Sequence, residues 1–516
     1  MKMLSMKGFL AAGLMMLGFG SYAQDTTTNL ANDGYTGGFR LGIGVNAGVP
    51  TANEFNFALG GDVRLQYDMS EKTSLTLTTG YTHLFADEDV PDLGFIPAKL
   101  GFKAFVWGDR FYVLGEAGVG FSTAITPIVA QADAAKDTNA VRSAFQHGLL
   151  LCILLGLLLF GIVTLGKPLM RLMHQPDEVV VLARPFIDWV GFSLVPMVIF
   201  QGYKQFADGM SLTKYAMYAV IFSNVIHVGL NFMLIYGFWI FPKLGILGAA
   251  LGTVISRISM VVYMHYILSR NEQLKPYFKG FHFSEIKKSM LRRITALGLP
   301  SAMQMLFEVA LFTAAVWLSG SLGKTSQAAN QIALSLASMT FMFAMGLSVA
   351  AMVRVGNQKG LQDYVNLRVV ARSIFLLAVI IEIVFALLFV AFHNYLPHLF
   401  LNMENAAQVA DNTQVISIAA SLLLVAAVFQ ISDGIQVVVL GALRGMQDVK
   451  VTTIITFVAY WVIGFPISFW LGLRTGLGAT GIWIGLLAGL TVAALFLYLR
   501  FNYLTAKLIR QQNLKA

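Results

Sequence analysis

Glu308 and Asp433 are the two residues whose chemistry most needs an explanation. Each lies in the middle of an apolar run, within the stretches LFEVALF and FQISDGIQ. An ionised carboxylate in the middle of a bilayer costs about 2.5–3.5 kcal/mol on insertion scales, so it faces a cavity or a partner. Polar side chains recur around both at helical spacing. Ser301 and Gln304 precede Glu308 by seven and four residues, and Gln430 and Gln436 flank Asp433 at three. Gln331, Ser335 and Ser338 form a comparable stripe on a third run. Three such stripes in one half of the chain imply a shared polar cleft. A carboxylate there can hold a cation, or take a proton when desolvation disfavours its charged form. A proton and a cationic compound competing for one carboxylate would exchange across a membrane directly. Packing through helix–helix hydrogen bonds is the structural alternative.

Arg257 and Glu382 also fall inside apolar runs, where they either pair, shuttle protons or serve packing alone. His227 reads as a hydrogen-bonded interior histidine. Asp188 falls near an expected helix start, where a carboxylate suits the helix dipole. Pro196 and Pro466 are expected to kink their helices, and Pro300 to mark a helix start. The 39 Phe and 23 Met could line a broad, adaptable pocket, although most must face lipid or pack helices. The single cysteine, Cys152, allows no intramolecular disulfide and no cysteine metal cluster. No phosphate-binding lysine loop, zinc-ligand cluster or nucleophile elbow occurs, so no catalytic residue, enzyme activity or cofactor is expected.

The elements that position these residues are set by composition. The chain of 516 residues is 57% hydrophobic and 12% charged, with mean hydropathy +0.69. A soluble chain would carry about 25% charged residues, so a membrane protein is indicated. Long apolar runs cover 146–166, 187–207, 216–238, 246–268, 295–318, 328–352, 370–392, 413–440, 452–473 and 478–499, each near the length needed to span a bilayer. Alternate loops and the tail from Arg500 hold 21 Lys and Arg, against 6 on the opposite side. The richer side is therefore cytoplasmic, and the net charge of +9 reports topology rather than nucleic-acid binding.

An internal repeat is visible. DGMSLTKY around Gly209 parallels RGMQDVKV around Gly445, and KLGILGAALG at 243–252 parallels GLGATGIWIG at 476–485. Two halves of similar design place a substrate site at their interface. The linker VRVGNQKGLQDYVNLRVVARS, 353–373, follows two long apolar runs. Its counterpart VAQADAAKDTNAVRSAFQHG, 129–148, does not.

What precedes it reads differently. Residues 1–23 have two lysines, an apolar core and a small-residue end, the layout of a secretory signal peptide. Five segments then show period-2 character: FRLGIGVNAGV, FNFALGGDVRLQYDM, SLTLTTGYTHLF, AKLGFKAFVWG and FYVLGEAGVGF. Residues 24–124 resemble part of a small outer-membrane β-barrel protein of Gram-negative bacteria. Five strands fall short of the eight that close such a barrel.

From about residue 125 to 510 the chain resembles the multidrug and toxic compound extrusion (MATE) family. The resemblance rests on PIVAQADAAKD, GLPSAMQMLFEVALF, AANQIALSLASMTFMFAMGLSVAAMVRVG and FQISDGIQVVVLGALRGMQD. It implies a fold of two six-helix lobes and an antiport of cationic small molecules against H+ or Na+. It also places the coupling and substrate-binding carboxylates at Glu308 and Asp433. These would be the ligands of any bound Na+. Gln304, Gln331, Ser335, Phe429, Gln430 and Gln436 are then expected to line the cleft. Phe429 stands where some Na+-coupled relatives carry a hydroxyl.

The expected architecture is a polytopic all-α membrane protein of about ten transmembrane helices in two pseudo-repeated lobes, preceded by a short antiparallel β region. The first lobe, 125–269, retains four helices. The linker is 270–294, and 295–516 forms a complete second lobe with its tail. The resemblance implies a monomer in the bacterial inner membrane, while the signal peptide suggests an outer-membrane origin for the N-terminal fragment. Two alternatives stand beside this reading: a recombined frame without transport activity, and a flippase for lipid-linked oligosaccharides.

Overall fold

The structure, a computed structural model, describes residues 118–167, 177–237, 241–278, 286–401 and 409–514, apart from the side chains of 177–182 and 409–411. It also describes the backbone of five strands before residue 105. The chain divides into two compact units, Met1–Arg110 with His398–Ala406, and the remainder.

In the first unit the strands are β1 (Phe39–Gly48), β2 (Phe55–Ser70), β3 (Thr73–Ala86), β4 (Leu93–Phe95) and β5 (Ala98–Ala104). β1, β2 and β3 pair in succession, all antiparallel, with Leu65 opposite both Leu41 and Leu77. β4 and β5 pair with opposite ends of β3. The signal-peptide reading of residues 1–23 lies outside the described residues, as do the side chains that would show a barrel fragment over 24–124.

The fifth expected strand, FYVLGEAGVGF, is not a strand at its described end. Residues 118–122 are helical and run through a turn at Thr123 and Ala124 into α1 (Ile125–Ala134). The glycines that suggested alternation serve helix packing. A methyl on Gly120 would lie 2.8 Å from the Cα of Ala302, and one on Gly298 2.8 Å from the carbonyl of Phe121.

The second unit continues with α2 (Thr138–Leu165), α3 (Asp177–Phe192), α4 (Leu194–Gly209), α5 (Thr213–Tyr236) and α6 (Ile246–Arg270). A short 3-10 turn, Lys275–Phe278, leads to α7 (Lys288–Ser321), α8 (Lys324–Gly360), α9 (Tyr364–Phe392) and α10 (Val409–Gly445). The last two spans are α11 (Lys450–Phe457), joined through a π-helical segment at Val458–Gly464 to α12 (Phe465–Leu473), and α13 (Gly478–Asn513). Among the described residues ten helical spans are long and apolar enough to cross a membrane. Leu154, Leu157 and Leu158 of α2 are 54, 50 and 58% exposed, as side chains facing lipid must be.

Proline explains two interruptions. Pro196 has no N–H for the carbonyl of Phe192, and the chain breaks at Ser193 between α3 and α4. Pro466 cannot donate to Val462, and the turns before it widen into the π segment. Pro300 differs from expectation. Helix α7 starts at Lys288 rather than near 295, so Pro300 lies well inside it. The amphipathic stretch KSMLRRITALGL extends the helix beyond its apolar part. Asp188 likewise falls late in α3, not near its start, and pairs with Lys167.

The repeat recurs in the backbone. Lys136 and Gln362 both adopt positive φ, 56° and 59°. Each is followed by an aspartate that caps the next helix: Asp137 accepts from the N–H of Ala140 at 2.9 Å, and Asp363 from that of Asn366 at 3.0 Å. Ser211 and Gln447 form a second such pair, at 60° and 62°. Gly209 and Gly445 also act alike. A methyl on Gly209 would meet Val129 of α1 at 2.8 Å, and one on Gly445 the Met352 carbonyl of α8 at 2.5 Å. By position, α1 is therefore the counterpart of the end of α8.

The two halves meet at their Lys/Arg-rich ends. The Gln131 side chain donates to the Gly445 carbonyl at 2.9 Å and accepts from Gln447 at 2.8 Å. Arg293 donates to the Gln447 side-chain oxygen at 3.1 Å.

Candidate functional site

Helix α7 carries Ser301, Gln304 and Glu308 on one face, as their spacing requires. Gln304 is 1% exposed and forms a hub. Its amide nitrogen lies 2.8 and 3.0 Å from the hydroxyls of Thr452 and Thr453 and 3.1 Å from the Val449 carbonyl. Its oxygen accepts from Nε and Nη2 of Arg444, at 3.0 and 2.9 Å. One buried side chain thus ties α7 to the end of α10 and the start of α11. Ser301 bonds back to its own helix, at the Leu297 carbonyl.

Glu308, one turn further on, is half-buried. Its carboxylate is close enough to act electrostatically on Asp433, Arg444 and Tyr460. Asp433 is 5% exposed on α10, and Glu382 of α9 acts on it as well. Gln430 and Gln436, 2% and 0% exposed, lie one turn to either side of Asp433. Oδ1 of Asp433, Oε1 of Gln430, both amide atoms of Gln436 and the hydroxyl of Tyr460 are buried without a hydrogen-bond partner.

Phe429 is fully packed, 6.1 Å from the ring of Phe312 and 5.2 Å from that of Trp483. It gives the site an apolar wall and no oxygen. Trp483 in turn donates to Asn330 at 2.9 Å. The third polar stripe is arranged differently from the other two. Gln331 and Ser338 are exposed and Ser335 half-buried, and both hydroxyls bond back to their own helix. The buried polar residues of α8 are instead Asn330, Thr340 and Ser348.

The structure does not bring Arg257 and Glu382 together. Arg257 of α6 donates to Ser193 at 2.7 Å and fills the break between α3 and α4. Glu382 joins the Asp433 group instead. His227 lies 3.2 Å from Thr253 and 3.0 Å from Asn231, within the first half. Cys152 is buried and free, against Gly202.

Arg444, Tyr460 and Asn330 are site neighbours that the sequence reading missed. In the sequence Arg444 reads only as a topology charge at a helix end. Tyr460, six residues before Pro466, is a polar group inside a span and was open to the same reasoning as Gln304.

The MatE family model matches residues 109–233 and 300–470. Among curated proteins, the "Probable multidrug resistance protein NorM" of Rhizobium meliloti (strain 1021) is 31% identical over 392 residues, covering 76% of this chain and 83% of that protein. The "Multidrug resistance protein MdtK" of Photorhabdus laumondii is 32% identical over 391 residues, covering 75% and 84%. Among solved structures, the eukaryotic MATE transporter AtDTX14 superposes with TM-score 0.66 at 22% identity, covering 79% of this chain and 89% of its own. An outward-facing multidrug resistance MATE family transporter gives 0.68 at 20%, covering 78% and 88%. At these identities the structural likeness is one of fold. The sequence match takes in both halves of the repeat and the carboxylates of α7 and α10, and on it the chain belongs to the MatE family of membrane transporters.

Proposed function

We propose that this chain is a multi-pass inner-membrane secondary transporter for multidrug efflux, exchanging cationic organic compounds for H+ or Na+ by alternating access. Glu308 and Asp433 are its coupling and substrate-binding carboxylates, and Gln304, Gln430, Gln436 and Phe429 surround them. The observation that carries this reading is the composition of the α7–α9–α10 cleft. Three carboxylates share it with a single guanidinium, and unsatisfied amide and hydroxyl groups lie around Asp433. Such a site is short of positive charge and attracts a cation, which a cavity for an anionic lipid-linked sugar would not. The NorM and MdtK relatives are named as multidrug resistance proteins, in line with a cationic drug as cargo. Phe429 contributes no oxygen ligand, which favours a proton over Na+ as the coupling ion. The Gln131–Gly445–Gln447 contacts close the Lys/Arg-rich end, so the conformation is the one sealed toward the cytoplasm under the charge rule.

The N-terminal part of the proposal is a junction. The family match begins at residue 109, and α1 stands where the second half has the end of a 37-residue helix. On this reading the chain ahead of the match is a β segment fused to a transporter that lacks its first two membrane-spanning helices, with α1 corresponding to the end of the second. The tryptic peptide FYVLGEAGVGFSTAITPIVAQADAAK, residues 111–136, spans that junction. Its detection in membrane fractions supports a fused chain. Its absence, with flanking peptides present, contradicts one.

Transport is tested with the purified full chain in proteoliposomes loaded with ethidium under an imposed pH or Na+ gradient. Dye movement driven by either gradient is the expected result. No movement under both gradients overturns the proposal.

A further inference from the structure

Glu382 lies near the centre of α9, 1% exposed, and packs directly on Gly434, the residue after Asp433. A methyl on Gly434 would come within 2.5 Å of its Cγ and 3.0 Å of its Oε1. Glycine at 434 is therefore what lets this carboxyl group approach the Asp433 turn of α10. Gln430 donates its amide to the backbone carbonyl of Glu382 at 3.5 Å, and its own side-chain oxygen has no partner. Oε2 of Glu382 has none either.

No base compensates Glu382 from any helix packed on it. Helix α9 packs against α8, α10 and α13. α8 has no charged residue between Lys324 and Arg354, and α13 none before Arg500. On α10 the only charged residue between Asp411 and Arg444 is Asp433. On α9 itself the nearest is Arg372, ten residues or about 15 Å away along the helix. Arg444, the base of the cleft among the described residues, directs Nε and Nη2 at Gln304. Arg444 interacts electrostatically with Glu308, whereas the charges acting on Asp433 are the carboxylates of Glu308 and Glu382. Fully ionised, the group would hold two uncompensated negative charges away from water, an arrangement proteins avoid by neutralisation.

We propose that Glu382 carries a proton of its own and exchanges it with Asp433, as a third coupling carboxylate of the cleft. The inference rests on the reading of Glu308 and Asp433 given above. In the exchange the carboxylic acid of Glu382 gives its proton to the carboxylate of Asp433, leaving Glu382 ionised and Asp433 neutral. The total charge of the pair is unchanged. Ionised Glu382 then recovers a proton from water on the side to which the cleft is open. While a cationic compound occupies Glu308 and Asp433, the proton waits on Glu382 instead of leaving the site.

Infrared difference spectroscopy of the purified full chain in lipid, across a pH step, tests this without requiring transport. The wild-type chain is expected to show the carbonyl stretch of a buried protonated carboxyl group at neutral pH. Glu382→Gln should abolish it, Glu382→Asp should retain it at a shifted position, and Asp433→Asn should shift it without loss. An unchanged band in Glu382→Gln overturns the proposal, as does its loss in Glu382→Asp or in Asp433→Asn. Proton release on ethidium binding gives the second readout. It should rise in Glu382→Gln, because the proton displaced from Asp433 then has no carboxylate to wait on and leaves to water, and unchanged or lowered release also overturns the proposal. If the wild type binds no ethidium, the efflux reading fails while the infrared result still decides the protonation of Glu382.

Discussion

Replacing Gln304 by leucine removes the acceptor that two nitrogens of Arg444 share. The bonds are 3.0 and 2.9 Å long, and Arg444 is 6% exposed. Hydrogen bonds to charged groups contribute about 1.5–3 kcal/mol each. Glu308 still acts on the guanidinium after the change, so the charge keeps an ionic partner and the hydrogen-bond figure governs. The amide also satisfies two of three acceptors on α11, but those threonine hydroxyls keep bonds to their own helix. Gln304→Leu should therefore destabilise the chain by about 3 kcal/mol, since the two bonds share one acceptor. The assay is SDS-driven unfolding in mixed micelles, read by tryptophan fluorescence. Arg444→Met leaves only a neutral oxygen unpaired, at about 1–3 kcal/mol. The double variant should cost less than the sum, with a coupling energy of up to about 3 kcal/mol. A single-variant cost below about 1 kcal/mol, or strict additivity, would refute the hub and with it the idea that Gln304 holds Arg444 in place.

Two further outcomes follow from close contacts. Gly445→Val forces a side chain against the Met352 carbonyl, from which even a methyl would lie only 2.5 Å. It should destabilise the chain by about 1–3 kcal/mol in the same unfolding assay, and a neutral result would contradict the packing of α8 on α10. Gln447→Ala removes the bonds to Gln131 and Arg293 that, on the proposed reading, hold the Lys/Arg-rich end closed. At about 0.5–1.5 kcal/mol per bond it should raise the open population roughly two- to ten-fold for each. Spin labels at Asn139→Cys and Val365→Cys would report this as a longer distance component; unchanged distances would mean these bonds do not close the end.

Much of the helical architecture was legible because lipid imposes a simple rule on sequence. All ten spans stood out as apolar runs, since every outward-facing position must be apolar. The repeat was legible through Gly209 and Gly445, which permit close helix contact in each half. Helix starts were less so. The first turns of α7 are charged and amphipathic, so an apolarity scan began at 295 and treated Pro300 as punctuation. GEAGVGF misled for a related reason: its small residues alternate like a strand's, yet Gly120 faces Ala302 across a helix pair. At the site, Glu308, Asp433 and Gln304 were visible because a polar residue in an apolar run needs a reason. Glu382 was equally visible, but its place beside Gly434 depends on how α9 lies on α10, which no spacing along either helix encodes. Arg444 was hidden by its position at a helix end, where a positive charge already had an explanation.

Ethidium transport by Glu308→Gln and Asp433→Asn in pH-gradient proteoliposomes tests the central claim most directly. Both changes keep side-chain size and remove only the ionisable group. Each is expected to lower gradient-driven transport by at least about ten-fold, a loss of about 1.4 kcal/mol in coupling, while the purified chain still elutes as a folded species. Transport at the wild-type rate by either variant would contradict the assignment of the coupling site.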